Sequence, residues 1–501
     1  MKKQNLFRQM ALSVAVVLLA CLASCSDTPK YARVIAKDAH LVASINVKQM
    51  AEKAQGDNGQ KVNEALLKQL EQQGFSAELQ SKAKEIVNDP AEAGIDLRKP
   101  VLVFVDDMKK ETGGMVAALH DADKFAELCN AMAKQGGLDP VKQEDDVRTL
   151  AIDDQVAVAF NDDMLLVYAN NKHGDVMAEA KRRLLAEEGE SVLERDDFKQ
   201  MCKATSDAQL LVSGQVIEDG SGDAEKFKEA LPADMKPEDF SVLVELNSEK
   251  GQLVLSAQLI CLTDVAQKAV EKYGDALGSI QGDLMDYVPA SSLFVLSANL
   301  KGDGLKELLL PVMKKQGSLS SEQEKLAEQV LESLKGDAVL SVNSFDLSQG
   351  PEVFLIAKVD DEKQMKEAVA KLGGAALEEV EPGQYSMGGN TYLGVKNGLF
   401  YASSKQPVLS MTKPKEAADA SRFKGNLVCG ELNVKGVMAN PLLQGMMQAN
   451  SSVRTAAPLL KEIDKLDYVV VDRDKVELRL LLANADQNPL QLLVESACSS
   501  L

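Results

Sequence analysis

Tryptophan is missing from this chain, and Phe and Tyr bring the aromatic share to only 4% of 501 residues. Flat ring platforms of the kind that hold sugars or unstacked bases are therefore scarce, which argues against glycan capture and single-strand nucleic-acid binding. Excess positive charge is missing as well. The formal net charge is −20, no basic stripe offsets it, and such a surface repels nucleic acid phosphates. Histidine is limited to His40, His120 and His173, with no HExxH pair. No G-x-S-x-G, P-loop or dinucleotide glycine fingerprint occurs, and Ser81-Lys82-Ala83-Lys84 fits Ser-x-x-Lys without the elements that accompany it in enzymes. No catalytic residue and no cofactor are assigned on this basis.

Cysteine is sparse and irregularly placed. Beyond Cys21 and Cys25 near the N-terminus, Cys129, Cys202, Cys261, Cys429 and Cys498 remain, none in a CxxC or CxxxC spacing, so buried thiols are expected rather than a metal or redox centre. The first segment is what the composition does supply. Lys2, Lys3 and Arg8 precede an apolar run from Met10 to Leu22, which reads as an export signal and is too short for a settled membrane span. Leu22-Ala23-Ser24-Cys25 resembles a bacterial lipobox, which makes residues 1–24 a lipoprotein signal peptide and Cys25 the lipidated residue of the mature chain. Residues 25–30 then form a tether of at most about 20 Å, and more than one acyl chain gives stable anchoring.

With 501 residues, two domains fit better than one. An internal repeat divides the chain accordingly: Val34–Lys48 recurs as Tyr287–Lys301, each a small-polar turn leading into alternating apolar positions. Val101-Leu102 then matches Val339-Leu340, Met115–Ala118 matches Phe354–Ala357, and Phe198-Lys199 matches Phe423-Lys424. The hairpin holding Leu253, Leu255, Ala257 and Leu259 matches the one holding Val476, Leu478, Leu480 and Leu482. The offset drifts from 253 to 223 while the order is kept, as duplication and loop trimming would leave it. The expected organisation is a first copy over 31–283 and a second over 284–501. Each is an α+β unit of antiparallel strands with helices on one face. An opening strand is expected from Tyr31 to Val47, and a type I′ turn at Asn397-Gly398.

Two segments hold candidate binding chemistry. Asp219, Ser221, Asp223 and Glu225 offer oxygens at alternate positions, as a calcium loop does, although Ala224 and Ala230 break the EF-hand pattern. Val437–Met447 offers methionines to a core or a partner.

The lipobox, the turn and strand Ala36–Lys48, and Gly94-Ile95-Asp96-Leu97 ahead of Pro100-Val101 resemble a family of uncharacterised lipoproteins of Bacteroidota that carries only a domain-of-unknown-function label. The resemblance implies an envelope location and brings no activity or site residue with it. The function expected is a non-enzymatic, lipid-anchored interaction module of the cell envelope, binding an unknown envelope protein or ligand and held at the outer membrane through Cys25. The alternative is an envelope hydrolase or lipid-handling protein with a site between the two copies.

Overall fold

The computed structural model describes residues 29–499 except 56–58, 60–62, 65–66, 69–70, 72–73, 173, 187–188, 220–234, 316–319, 347–349, 374–376, 389–390, 405–412, 442–443 and 446–459. The chain forms two units. The first runs to Asp264 and takes back the segment from Asp486 onward; the second is Val265–Ala485.

In the first unit, the strands are β1 (Leu41–Ile45), β2 (Val101–Asp107), β3 (Thr112–Ala118), β4 (Lys142–Glu144), β5 (Val147–Ala151), β6 (Val156–Phe160), β7 (Met164–Asn170), β8 (Ala208–Ser213), β9 (Phe240–Glu249) and β10 (Gln252–Cys261). All pair antiparallel in the order β4-β5-β6-β7-β3-β2-β1-β8-β9-β10. Its helices are α1 (Val47–Gln55), α2 (Ala77–Asn88), α3 (Ala122–Gly136), α4 (Val176–Leu184) and α5 (Asp196–Lys203). Local chemistry fixes their starts: Ser76 caps α2 by accepting from the Leu79 amide, and the Asp121 carboxylate caps α3 through the amides of Asp123 and Lys124.

Helices lie on both faces of this sheet, not on one. Along β3 and β7, Val116, Ala118, Met164 and Leu166 join the core under α4 and α5, while Ala117, Leu119 and Leu165 join the core under α2 and α3. The reason is visible in β6 and β7, whose residues Val156–Phe160 and Met164–Tyr168 are uninterrupted apolar runs. A strand buried on both sides has no polar face to show. The opening strand is also shorter than expected. Lys30–Val34 forms a 3₁₀ turn, and the Tyr31 hydroxyl donates to the Pro100 carbonyl, so β1 starts only at Leu41.

The chain passes through α6 (Asp264–Gly274) into the second unit, whose strands are β11 (Leu277–Gly278), β12 (Phe294–Lys301), β13 (Leu334–Asp346), β14 (Gly350–Val359), β15 (Leu377–Glu381), β16 (Gln384–Met387), β17 (Thr391–Lys396), β18 (Leu399–Ser403), β19 (Val428–Asn433), β20 (Ile463–Asp472) and β21 (Lys475–Leu482). Its helices are α7 (Gly302–Lys315), α8 (Ser321–Ser333), α9 (Glu362–Gly373) and α10 (Val434–Ala439). The pairing order is β15-β16-β17-β18-β14-β13-β12-β19-β20-β21, again antiparallel throughout, with β11 added beside one end of β12. Apart from β11, this is the pairing order of the first unit. Isolated bridges fall at Ala36 and at Pro289, matching places in the repeated stretch. Asn397 and Gly398 adopt φ of 55° and 72°, as a type I′ turn requires.

The C-terminal helix α11 (Pro489–Ser499) belongs to the first unit and packs on α1. Asn488 fastens it there: its Oδ1 accepts from the Ser248 hydroxyl at 2.6 Å, and its Nδ2 donates to the Ser248 carbonyl at 3.3 Å. The segment from Asp486 on was expected with the second copy. It closes against β9 of the first instead, because Ser248 is buried and needs a polar partner.

Candidate apolar binding faces

Helices α2 and α3 cover only half of their face of the first sheet. The other half spans β2, β1, β8, β9 and β10, where strand alternation and register fix every outward position. Three rows cross those five strands: Val101-Ile45-Ala208-Leu246-Leu255, Val103-Ala43-Leu210-Val244-Ala257 and Val105-Leu41-Val212-Val242-Leu259. Every position is aliphatic, and none is buried; Val103 is 39% and Leu255 40% exposed. Ile45 and Val101 touch the core under α2 and α3 and mark its edge.

The second sheet repeats the pattern on β13, β12, β19, β20 and β21. Its rows are Ala338-Ala298-Val428-Val470-Val476, Leu340-Leu296-Gly430-Tyr468-Leu478 and Val342-Phe294-Leu432-Leu466-Leu480. Here Leu466, Tyr468 and Leu478 are 37%, 45% and 42% exposed. Each grid measures about 19 Å across the strands and about 14 Å along them, on the order of 400 Å² with side-chain margins. That is the size of the largest apolar patch usual on a monomer, a kind of patch that is often functional.

Behind the grids the two units differ. In the first, Leu211 and Leu243 sit fully buried beneath α4 and α5. Near them the Arg195 guanidinium forks onto Asp197 at 3.0 and 2.6 Å, and the Ser241 hydroxyl donates to the same carboxylate at 2.6 Å. Burial pushes the Asp197 carboxyl up, but these donors outweigh it and hold the pKa below the ordinary value. In the second unit Glu431 and Asp467 occupy the register positions of Leu211 and Leu243. Arg422 bridges both, and Lys465 reaches Glu431 at 2.8 Å. Burial raises the Asp467 pKa despite Arg422, and its Oδ1 finds no hydrogen-bond partner among the described residues.

A cleft of about 520 Å³ in the second unit is lined in part by Asp283, Asp286, Lys335, Lys358 and Lys413. Its lysines are already engaged: Lys358 with Asp283 at 2.7 Å, Lys413 with Asp286 at 2.5 Å and Lys335 with Asp360 at 2.7 Å. Each of the cleft's lysines is thus already paired with a carboxylate.

The residues singled out in the sequence fall elsewhere. Cys25 lies outside the described residues, as do His173 and the calcium candidates Ser221, Asp223 and Glu225; Asp219 ends a short helical turn whose side chain is likewise undescribed. His40 is buried, and its Nδ1 accepts from the Met108 amide at 3.2 Å. His120 is exposed. Lys84 pairs with Glu71 at 2.9 Å rather than serving Ser81. No disulfide joins Cys129, Cys202, Cys261 or Cys429, and burial pushes the thiols of Cys129, Cys202 and Cys429 up to about 12. Among the described residues no group of three or more His, Cys, Asp or Glu is placed to hold a metal, and no helix is long and apolar enough to cross a membrane.

The grids are only half legible in the sequence: the alternation of Leu253, Leu255, Ala257 and Leu259 marks an apolar face of one strand, and register across five strands supplies the rest.

Fold and faces together define an α+β protein dominated by antiparallel sheet, with apolar strand faces on both sheets. The chain belongs to the domain of unknown function family DUF4836, whose model matches residues 31–490. No curated protein matches it. Two solved structures are similar to part of it, crystal forms IV and I of TP0453, at 12% and 10% identity and TM-scores of 0.28 and 0.25. They cover 46% and 47% of this chain and 81% and 80% of that one.

Proposed function

We propose that this chain is a non-enzymatic binding module of the cell envelope, tethered by lipid at Cys25 to the outer membrane, and that its sheets arose as two tandem copies of one α+β unit. The observation that carries the reading is the recurrence of an exposed apolar grid at register-equivalent positions of both sheets. Exposed apolar area costs solubility unless something covers it in use. Matching strand order and the repeated stretch at Val34 and Tyr287 support the duplication. The lipobox at Leu22–Cys25 supports the anchor.

A photoreactive amino acid placed at Leu255 or Leu478 in intact envelopes tests the binding role, with Leu185, exposed outside the grids, as the control position. Adducts are expected at Leu255 and Leu478 and not at Leu185. Equal labelling at all three sites, or no adduct at the grids, overturns it. Fatty-acid labelling that survives Cys25→Ala overturns the anchor.

A further inference from the structure

Each unit closes its sheet with a long hairpin, β9–β10 in the first and β20–β21 in the second, and a helix follows each hairpin in the chain. Neither helix stays with the hairpin it follows. From Val265 onward α6, which comes after β10, is part of the second unit, and α11, which comes after β21, is part of the first. The exchange is reciprocal. Just past α6, Asp275 pairs with Arg473 at 3.3 Å, and the Ala276 carbonyl accepts from the Lys301 amide at 3.0 Å. The backbone there lies so close to α7 that a Cβ on Gly304 would come within 2.6 Å of the Ala276 Cα.

The seat of α11 is built by the first unit. Asp207 is fully buried, accepts from the Ser248 amide at 2.6 Å and pairs with Lys53 of α1 at 2.9 Å, and Lys53 reaches Glu249 at 2.9 Å. This holds α1 beside the end of β9. Against it, Asn488 takes the Ser248 hydroxyl at 2.6 Å and donates to the Ser248 carbonyl at 3.3 Å, while the Gln487 carbonyl accepts from the Gly251 amide at 2.8 Å. Asn488 Oδ1 also accepts from the Leu490 amide at 2.9 Å, so the residue that docks the helix also caps it.

These contacts lie in the segment itself and not in its connection to β21. That connection, Ala483 to Asp486, is exposed. Such a seat makes the same contacts with α11 of its own chain and with α11 of another, so exchange between chains loses none of them and the entropy of association alone separates the two arrangements. Each chain carries one seat and one segment, so two chains satisfy both and the assembly closes.

We infer that the seat on the first unit also takes the segment from Asp486 onward of a second copy of this chain, and that two copies exchange these segments in a closed dimer. The inference is independent of what the grids bind.

Native mass spectrometry of the full chain, with isotope-labelled and unlabelled copies annealed together below the thermal midpoint, tests it. Mixed dimers are expected. Deleting Asn484 and Ala485 strains docking within one chain and is expected to raise the dimer association constant at least tenfold, whereas inserting about six Gly and Ser residues there lowers it. Ser248→Ala spoils the seat and Asn488→Ala the segment. Each variant alone is expected to associate more weakly, while a mixture of the two pairs one intact seat with one intact segment and gives mixed dimer in excess over either homodimer. A merely structural role for these residues gives no such rescue.

Monomer at every concentration in both the natural and the shortened chain, a dimer insensitive to the length of the connection, or no excess of mixed dimer overturns the inference. Adducts at Leu255 and Leu478 are unaffected by any of these results, so the binding role stands or falls separately.

Discussion

The two units share an order of strand pairing but not a core. In the first, the stretch between β7 and β8 holds α4 and α5, which roof Leu211, Leu243, Phe198 and Met201 into a dense aliphatic layer. The stretch between β18 and β19 is thirteen residues shorter, and what is described there is a 3₁₀ turn at Ala420–Arg422. With less roof, the sheet beneath changes chemistry: Glu431 and Asp467 replace the two leucines, and Arg422 with Lys465 balances them. The open grids on the opposite face keep their character in both. Core composition thus tracks local cover, whereas the grids are apolar in both units.

Side chains under the roof offer the hardest break. Phe198 and Phe423 are both buried, at 0% and 2% exposure. Phe198→Ala is expected to cost about 3–5 kcal/mol, and Phe423→Ala less, since its surroundings relax more easily into the cavity. Unit-resolved hydrogen exchange checks the difference, and equal costs would contradict it.

The two aspartates come next and differ in sign. Asp197 has a lowered pKa, so its contribution is present above the unfolded value of about 3.9 and is lost as pH falls through the folded value. Asp467 has a raised pKa, so its ionised form is penalised in the folded state once pH exceeds the unfolded value, and protonation relieves the penalty. Asp197→Asn should therefore destabilise by about 1–3 kcal/mol at pH 7, with the loss fading in acid. Asp467→Asn should be neutral or stabilising at pH 7, Arg422 keeping Glu431 as a partner. Denaturant melts at pH 7 and near pH 4 decide it, and parallel behaviour of the two variants would sink the contrast.

Turn chemistry sharpens the comparison further. The β17–β18 turn depends on positive φ at Gly398, so Gly398→Ala should cost about 1 kcal/mol. The β6–β7 turn is closed by the Asn161 side chain, which accepts from the amides of Asp163 and Met164. Asp163→Ala should stay within about 0.5 kcal/mol. The smallest effect is expected on the grids: Leu255→Lys should leave thermal stability almost unchanged while reducing ligand binding.

Much of this architecture was legible. The two long hairpins and the Asn-Gly turn follow from local pattern and turn chemistry, which act over a few residues. Burial on both faces of β6 and β7 is written in their unbroken apolar runs. The early end of the opening strand was hidden, because Tyr31–Val34 is as apolar as a strand and is drawn into a 3₁₀ turn by tertiary contacts such as the Tyr31 hydroxyl to Pro100. The grids depend on register between strands far apart in sequence, such as Ile45 beside Ala208. No window of one strand contains that information.

The return of α11 to α1 makes the second unit an insertion within the first. During synthesis, β9 emerges with Ser248 facing a place that stays empty until more than two hundred further residues have followed. The first unit therefore waits on the second to be delivered before Asn488 can dock. A chain halted anywhere in the second unit would leave the first without its final helix, so premature termination late in the sequence should be felt in the unit that was made first.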